Sequence, residues 1–213
     1  MENVKRIILI TLLFPLLSHA QTVDTIFTSR PVPDHIFRRM IGKSYKRDCP
    51  LAIEELRYLQ LSYCDANGDT RKGELVCNKS IANDLVDIFR QLWKAGYRIE
   101  RMQLIDDYAA DDQRSMEANN TSCFNYRTIS GTNIISKHGR GIAIDINPLY
   151  NPYVKGNMVE PASGKKWAYN RSKRKDIPYK IDRNDLCYKL FKKHGFRWGG
   201  DWPNYKDYQH FEK

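Results

Sequence analysis

Apolar residues recur at helical spacing in two stretches of the chain. The first stretch, residues 80–96, begins at a candidate N-cap, Ser80, and ends at Gly96. Its apolar stripe consists of Ile81, Leu85, Ile88, Phe89 and Leu92. The second stretch begins at a candidate cap, Asp182, and ends at Gly195. Its apolar face consists of Leu186, Leu190 and Phe191. The pattern predicts two amphipathic helices.

Shorter apolar runs between and after these helices indicate strands. They are "YRIERMQLID" (97–106), "GIAIDIN" (141–147) and "YQHFE" (208–212). A turn cluster, "DANGDTRKGE" (65–74), lies between two further apolar runs and predicts a hairpin turn. Because strands and helices do not alternate regularly, we expect an α+β fold with a small, mainly antiparallel sheet flanked by helices.

The run "GIAIDIN" places an acid opposite a buried face. Its three isoleucines fall on one side of the predicted strand, and Asp145 projects from the other side. His138 lies seven residues earlier, and a fully extended path would separate the two by about 23 Å. Ligands of one zinc ion lie only about 2 Å from it. Shared metal binding therefore requires the chain to fold back, and Gly139 and Gly141 can adopt the unusual φ angles that this needs.

A three-ligand zinc site needs one further donor and an open position for water. His210, in "KDYQHFEK", is a candidate donor, and Asp207 three residues earlier can reach a metal-bound water as a general base. The residues alone leave an alternative open, in which His138 belongs to a polar loop and Asp145 is a buried acid held by backbone donors. We expect two other charged clusters to face solvent: the acids Asp106, Asp107, Asp111 and Asp112, and the basic run 165–175.

The first residues of the chain predict export. Lys5 and Arg6 precede an apolar run over residues 7–17, and Ser18-His19-Ala20 forms a cleavage site typical of a signal peptide. An uncleaved anchor is the alternative. No apolar run reaches the roughly eighteen residues of a membrane-spanning helix, so we expect no stable span.

The predicted organisation is a signal peptide (1–20), an N-terminal arm (21–50) and a single main domain (51–213). A hydrophobic fraction of 41% favours a globular protein. The net charge of +10 attracts polyanions, but export makes cell-wall polymers or anionic lipids better partners than nucleic acid. The five cysteines include no C-x-x-C pair, which argues against a thiolate zinc site. In an oxidising compartment, Cys64 and Cys77 are a candidate disulfide.

Three motifs add a family resemblance. They are "S-x-H-x-x-G-x-A-x-D" (136–145), "WGGDW" (198–202) and "D-x-x-H" (207–210). Together they resemble the bacterial and phage zinc peptidases that comprise D-Ala-D-Ala carboxypeptidases, D,D-dipeptidases and L-alanyl-D-glutamate endopeptidases. The likeness covers roughly residues 50–212 and is greatest to the L-alanyl-D-glutamate branch.

The resemblance implies one Zn²⁺ ion in a cleft on the sheet, held by His138, Asp145 and His210. It implies that Asp207 is the catalytic carboxylate and that Arg127 binds the substrate carbonyl and stabilises the oxyanion. Two further motif residues, Ser136 and Trp202, are expected to support the site or contact substrate.

These expectations describe a monomeric zinc metallopeptidase, periplasmic or secreted, that cleaves stem peptides of peptidoglycan or muropeptides. The alternative is a zinc-stabilised module of the same fold that binds cell wall or protein without peptidase activity. The sequence does not distinguish cleavage of the L-Ala-D-Glu bond from cleavage of the D-Ala-D-Ala bond.

Overall fold

The computed structural model of the protein describes residues 24–213. The predicted signal peptide, residues 1–20, lies outside the described residues. Within the described range, no helix is long and apolar enough to cross a membrane. The α+β fold expected from the sequence is confirmed, since small antiparallel sheets combine with helices.

Residues 24–213 contain nine strands, which form three three-stranded sheets, and five α-helices. The strands are β1 (Phe27–Pro31), β2 (Leu56–Cys64), β3 (Thr70–Asn78), β4 (Ala143–Asp145), β5 (Tyr153–Lys155), β6 (Met158–Glu160), β7 (Arg197–Trp198), β8 (Lys206–Asp207) and β9 (His210–Glu212). The helices are α1 (Asp34–Met40), α2 (Lys79–Lys94), α3 (Asp112–Glu117), α4 (Lys165–Ala168) and α5 (Leu186–Lys193).

The first sheet has the order β1-β2-β3 and is built on a hairpin. β2 and β3 pair along their full lengths around the turn predicted at residues 65–74. β2 is buried on both faces: Leu59 and Leu61 join the core cluster that contains α2, whereas Leu56 and Tyr58 join a second cluster with α1. β1 and α1 come from the predicted N-terminal arm, so the arm supplies an edge strand of this sheet and a helix of the second cluster.

The helix predicted at residues 80–96 is confirmed as α2, and all five residues of its apolar stripe are buried. Its N-cap is Asn78 rather than Ser80, because the Asn78 side chain accepts a hydrogen bond from the Ser80 amide at 2.9 Å. The second predicted helix is α5, where Asp185 rather than Asp182 is the cap. In both cases a second polar residue near the start made the cap ambiguous in the sequence.

The second sheet, in the order β4-β9-β7, divides its residues between two faces. Ile144 lies opposite Phe211, which lies opposite Trp198, and all three are buried in the main core. Asp145 lies opposite His210 on the other face of the sheet. The predicted split of "GIAIDIN" into apolar and acidic faces is therefore confirmed.

The third sheet has the order β6-β5-β8. Its strand β8 is separated from β9 of the second sheet by only two residues of the chain. β8 carries Asp207, which pairs with Tyr153 of β5. The motif "WGGDW" forms the 3-10 helix Gly199–Asp201 beside it. A Cβ on Gly199 would lie 2.7 Å from the Cβ of Asp207, so only glycine permits this approach.

Three local predictions are wrong. Residues 97–106 form no strand: Arg98 and Arg101 make isolated bridges, and Ile105 begins a 3-10 helix. Asp106 is 3% exposed, and its carboxylate accepts a hydrogen bond from the Ser44 amide. The run 165–175 is mostly exposed as expected, but Arg171 is buried and donates to three carbonyl or amide oxygens at 2.7–2.9 Å.

The proposed Cys64–Cys77 disulfide is also wrong. Cys64 lies opposite Thr70, and Cys77 lies opposite Arg57, so the two cysteines are at opposite ends of the hairpin. Seven strand residues span about 23 Å, far beyond the reach of a disulfide. All five cysteines are free in the described part of the chain, and four of them are buried.

The Asp185 carboxylate generates a prediction for the pH dependence of stability. Burial raises its pKa from 3.8 to about 6, although Tyr97 donates a hydrogen bond to it at 3.0 Å. Because the folded state holds this proton more tightly than the unfolded state, Asp185 contributes to the free energy of unfolding at low pH. The contribution is complete below pH 4 and is lost as pH rises through 6.

We expect Asp185→Asn to remove this loss and to stabilise the protein by about 1–2 kcal/mol at pH 7, since asparagine also caps helices. Urea unfolding from pH 4 to 8 measures the effect. Asp111→Asn, at the N-cap of α3, is the control and should keep the wild-type decline between pH 4 and 6. Parallel pH profiles for wild type and Asp185→Asn would contradict the assignment.

Candidate metal centre

The loop before β4 folds back in a tight turn that carries His138. Residues His138–Arg140 form a 3-10 helix, and Gly141 ends it with φ of 67°. Gly139 does not have a positive φ, so the expectation that it adopts an unusual φ angle is wrong. A Cβ on Gly139 would lie 2.9 Å from the Arg127 carbonyl oxygen, so glycine is needed there for close packing.

Strand pairing supplies the other two members of the cluster. Asp145 ends β4 and His210 begins β9, and the two are direct cross-strand partners. Their side chains point to the same face, because directly opposed residues of an antiparallel pair share a face. The turn and the strand pair thus bring together the three ligands expected from the sequence.

The atoms of the three side chains converge on one point. His138 Nε2 lies 3.1 Å from His210 Nδ1 and 3.3 Å from an Asp145 oxygen, and His210 Nδ1 lies 3.0 Å from the other Asp145 oxygen. Ligands at 2.0–2.1 Å from a tetrahedral zinc ion stand about 3.3 Å from one another. The observed spacing and the two-nitrogen, one-carboxylate donor set therefore fit a metal ion such as zinc.

Hydrogen bonds behind the two imidazoles orient their free nitrogens. His138 Nδ1 lies 2.7 Å from the Cys123 carbonyl oxygen, which only accepts, so Nδ1 carries the proton and Nε2 keeps its lone pair. His210 Nε2 lies 3.3 Å from a Glu212 carboxylate oxygen. In the neutral rings, both lone pairs therefore face the Asp145 carboxylate.

The electrostatics of the cluster favour an added positive charge. Burial by itself lowers the pKa of His210, but hydrogen bonds with Asp145 and Glu212 outweigh it and raise this pKa to about 10. Burial opposes ionisation of Asp145, yet the two histidines hold its pKa well below the usual range. A proton or a divalent cation supplies the charge that this electron-rich pocket attracts.

Asp207 lies on β8, close enough to interact electrostatically with all three residues. Burial raises its pKa to about 7, with the charge of Asp145 adding to the rise and that of His210 opposing it. Among residues 24–213, no group forms a hydrogen bond with the buried Asp207 Oδ1. A buried oxygen without a partner is costly and is typical of a functional site.

Arg127, the expected oxyanion residue, forms an ion pair with Asp112 on α3. Its backbone carbonyl accepts a hydrogen bond from the Ser136 amide at 3.0 Å, which ties Arg127 to the loop that carries His138. Asp112 belongs to the acidic cluster that was expected to face solvent, so its ion pair with Arg127 was not predicted. An aspartate fifteen residues before an arginine carries no signal of their contact.

Ser136 contacts the turn that carries His138, and Trp202 contacts His210. The Ser136 hydroxyl accepts a hydrogen bond from the Gly139 amide at 2.9 Å and so supports the turn of His138. The Trp202 ring lies 5.4 Å from the His210 ring, measured between centroids. These positions are compatible with the supporting roles predicted for them.

A family comparison agrees with this geometry. Residues 130–213 match the model of a family described as D-alanyl-D-alanine carboxypeptidase. Residues 130–213 form a domain of this peptidase family. Searches of curated proteins and of solved structures gave no significant match to the chain.

The peptidase-family domain contains the whole candidate metal cluster and Asp207. Arg127 lies just before the matched segment. The hairpin and α2, which provide much of the main core, lie further toward the amino terminus. Two residues behind the ligands, Cys123 and Glu212, were not among the predicted site residues. For Glu212 a signal exists, since residues two apart on a strand share a face and this residue follows His210 by two.

Metal binding by the cluster should stabilise the folded protein. At a free Zn²⁺ concentration 100 times Kd, the expected gain in the free energy of unfolding is about 2.7 kcal/mol. We expect this gain to disappear in His210→Ala, which removes one ligand. Thermal unfolding with Zn²⁺ and with a chelator measures it. His194→Ala, at the end of α5, should keep the full gain.

A side chain at Gly141 should lower the free energy of unfolding for two separable reasons. Its φ is positive, and a Cβ would lie 2.7 Å from the backbone nitrogen of Asn78. Gly156 also has a positive φ but has open space around it, so Gly156→Ala measures strain alone, at about 1–2 kcal/mol.

Gly141→Ala should cost clearly more, by a further 1 kcal/mol or more, roughly the cost of overpacking a well-packed interior. It should also weaken Zn²⁺ binding, because the turn carries His138. Urea unfolding compares the two variants. Equal losses of stability would contradict the close packing at Gly141.

Proposed function

We propose that the protein is an exported zinc metallopeptidase that hydrolyses a peptide bond in peptidoglycan stem peptides. The observation that carries the proposal is the convergence of His138, Asp145 and His210 beside the half-buried Asp207, within a domain of the D-alanyl-D-alanine carboxypeptidase family. The sequence of residues 1–20, typical of a signal peptide, supports export, and the net charge of +10 favours an anionic polymer as substrate.

Zinc, when bound by the three ligands, supplies an acidified water and a Lewis acid for the scissile carbonyl. Asp207 then accepts the proton of the attacking water at its free carboxylate oxygen. Burial raises the pKa of Asp207, which makes its carboxylate a better proton acceptor and allows it to return the proton to the leaving amine.

Arg127 is proposed to bind the substrate carbonyl as negative charge develops on its oxygen. The ion pair with Asp112 orients the Arg127 guanidinium but does not use all of its five donors. Trp202 lies against His210 and is proposed to form a wall of the cleft that excludes bulk water.

Purified protein incubated with muropeptides, with products identified by mass spectrometry, tests the function. We expect a product lighter by one alanine residue, with release of D-alanine, if the D-Ala-D-Ala bond is cleaved, or separation between L-Ala and D-Glu if the other bond is cleaved. No cleavage by the zinc-loaded protein would overturn the peptidase proposal and favour a zinc-stabilised binding module.

Asp207→Asn should lower kcat by about 10²- to 10⁴-fold, because general-base catalysis contributes on this scale. Its Zn²⁺ affinity should change little, since Asp207 is not a proposed ligand. Asp201→Asn is the matched control, because Asp201 lies six residues away, forms an ion pair with Arg183, and should leave kcat unchanged. Full activity in Asp207→Asn would remove this residue from the mechanism.

A further inference from the structure

Glu212 lies behind His210, on the side opposite the metal cluster. Both residues belong to β9, and being two apart they point to the same face of the sheet. Glu212 Oε2 lies 3.3 Å from His210 Nε2, while His210 Nδ1 lies 3.0 Å from Asp145. The two ring nitrogens of His210 thus have different carboxylate partners.

Glu212 is buried, with 7% of its surface exposed, so its charge requires compensation. Arg197 on β7 provides it: Arg197 is the direct cross-strand partner of Glu212 and donates a hydrogen bond to Glu212 Oε1 at 2.6 Å. Each oxygen of the Glu212 carboxylate therefore has its own partner. On the other side of β9, the small residue Ala143 lies opposite Glu212.

This arrangement constrains the protonation of His210. An ionised carboxylate only accepts hydrogen bonds, so Nε2 must carry a proton when it faces Glu212. Nδ1 is then free of a proton in the neutral ring and can donate its lone pair to a metal. A carboxylate behind a metal-binding histidine both fixes the tautomer and increases the basicity of the ligand nitrogen.

We propose that Glu212, held by Arg197, is a positioning residue that fixes His210 in the tautomer that offers Nδ1 to the metal ion. The proposal rests on the metal site of the proposed function but not on its peptidase activity. It assigns different supports to the two histidines, since a backbone carbonyl of Cys123 orients His138 and a side-chain pair orients His210.

Zn²⁺ affinity, measured by competition with a chromophoric chelator, tests the proposal. Glu212→Ala should bind Zn²⁺ about 10- to 100-fold more weakly than wild type, as is usual when the group behind a ligand is removed. Glu212→Gln should recover most of the affinity, because its amide oxygen still accepts from Nε2. Arg197→Ala should show a smaller loss, and Glu117→Ala, an exposed glutamate at the end of α3, should show none.

A merely structural role would lower the stability of the metal-free protein equally in Glu212→Ala and Glu212→Gln and leave Zn²⁺ affinity unchanged, which would overturn the proposal. A second measurement needs no variant. Nitrogen-15 NMR of the zinc-loaded wild type should show His210 protonated at Nε2. A proton at Nδ1 would overturn the proposal even if Glu212→Ala failed to fold.

These outcomes are independent of hydrolysis. A protein that binds Zn²⁺ through His210 Nδ1 but cleaves no muropeptide would refute the proposed function and leave the role of Glu212 intact. Undiminished Zn²⁺ binding by folded Glu212→Ala would refute the role of Glu212 and leave the proposed function intact. Failure of the wild type to bind Zn²⁺ would refute both.

Discussion

The pairing of β4 with β9 is the constraint on which the candidate site depends. It places Asp145 directly opposite His210, although 65 residues separate them in the chain. The opposite face of the same pair buries Ile144 against Phe211 in the main core. Because side chains alternate along a strand, a shift of one residue would turn Asp145 into the apolar core and Ile144 out of it. Core packing therefore fixes the register that aligns the two ligands.

His138 reaches this strand pair through a loop that is anchored to other parts of the protein. The Gly141 carbonyl accepts a hydrogen bond from the Asn78 amide at 2.8 Å, and the Cys123 carbonyl holds the imidazole itself. Both anchors lie before residue 130, outside the segment that matches the peptidase family. The amino-terminal part of the domain thus provides the support against which the metal cluster is assembled.

Burial gives the cluster its chemical character. Removing two imidazoles and a carboxylate from water is costly unless their lone pairs find a cation or a proton. The two histidines are each held from behind, His138 by the Cys123 carbonyl and His210 by Glu212, so these rings need little reorganisation on metal binding. The same desolvation raises the pKa of the adjacent Asp207 toward neutrality. One buried environment therefore prepares both the ligands and the proposed base.

The sequence by itself determined the local features: the α2 stripe, the hairpin turn, the apolar face under Asp145 and the need for a turn after His138. Periodicity and glycine placement act over a few residues, so they are readable without the fold. Only the tertiary structure decided the partners of Asp106 and Arg127 and the pairing of Glu212 with Arg197. These depend on contacts between distant segments, whose geometry is set by packing of the whole core and not by the residues near each group.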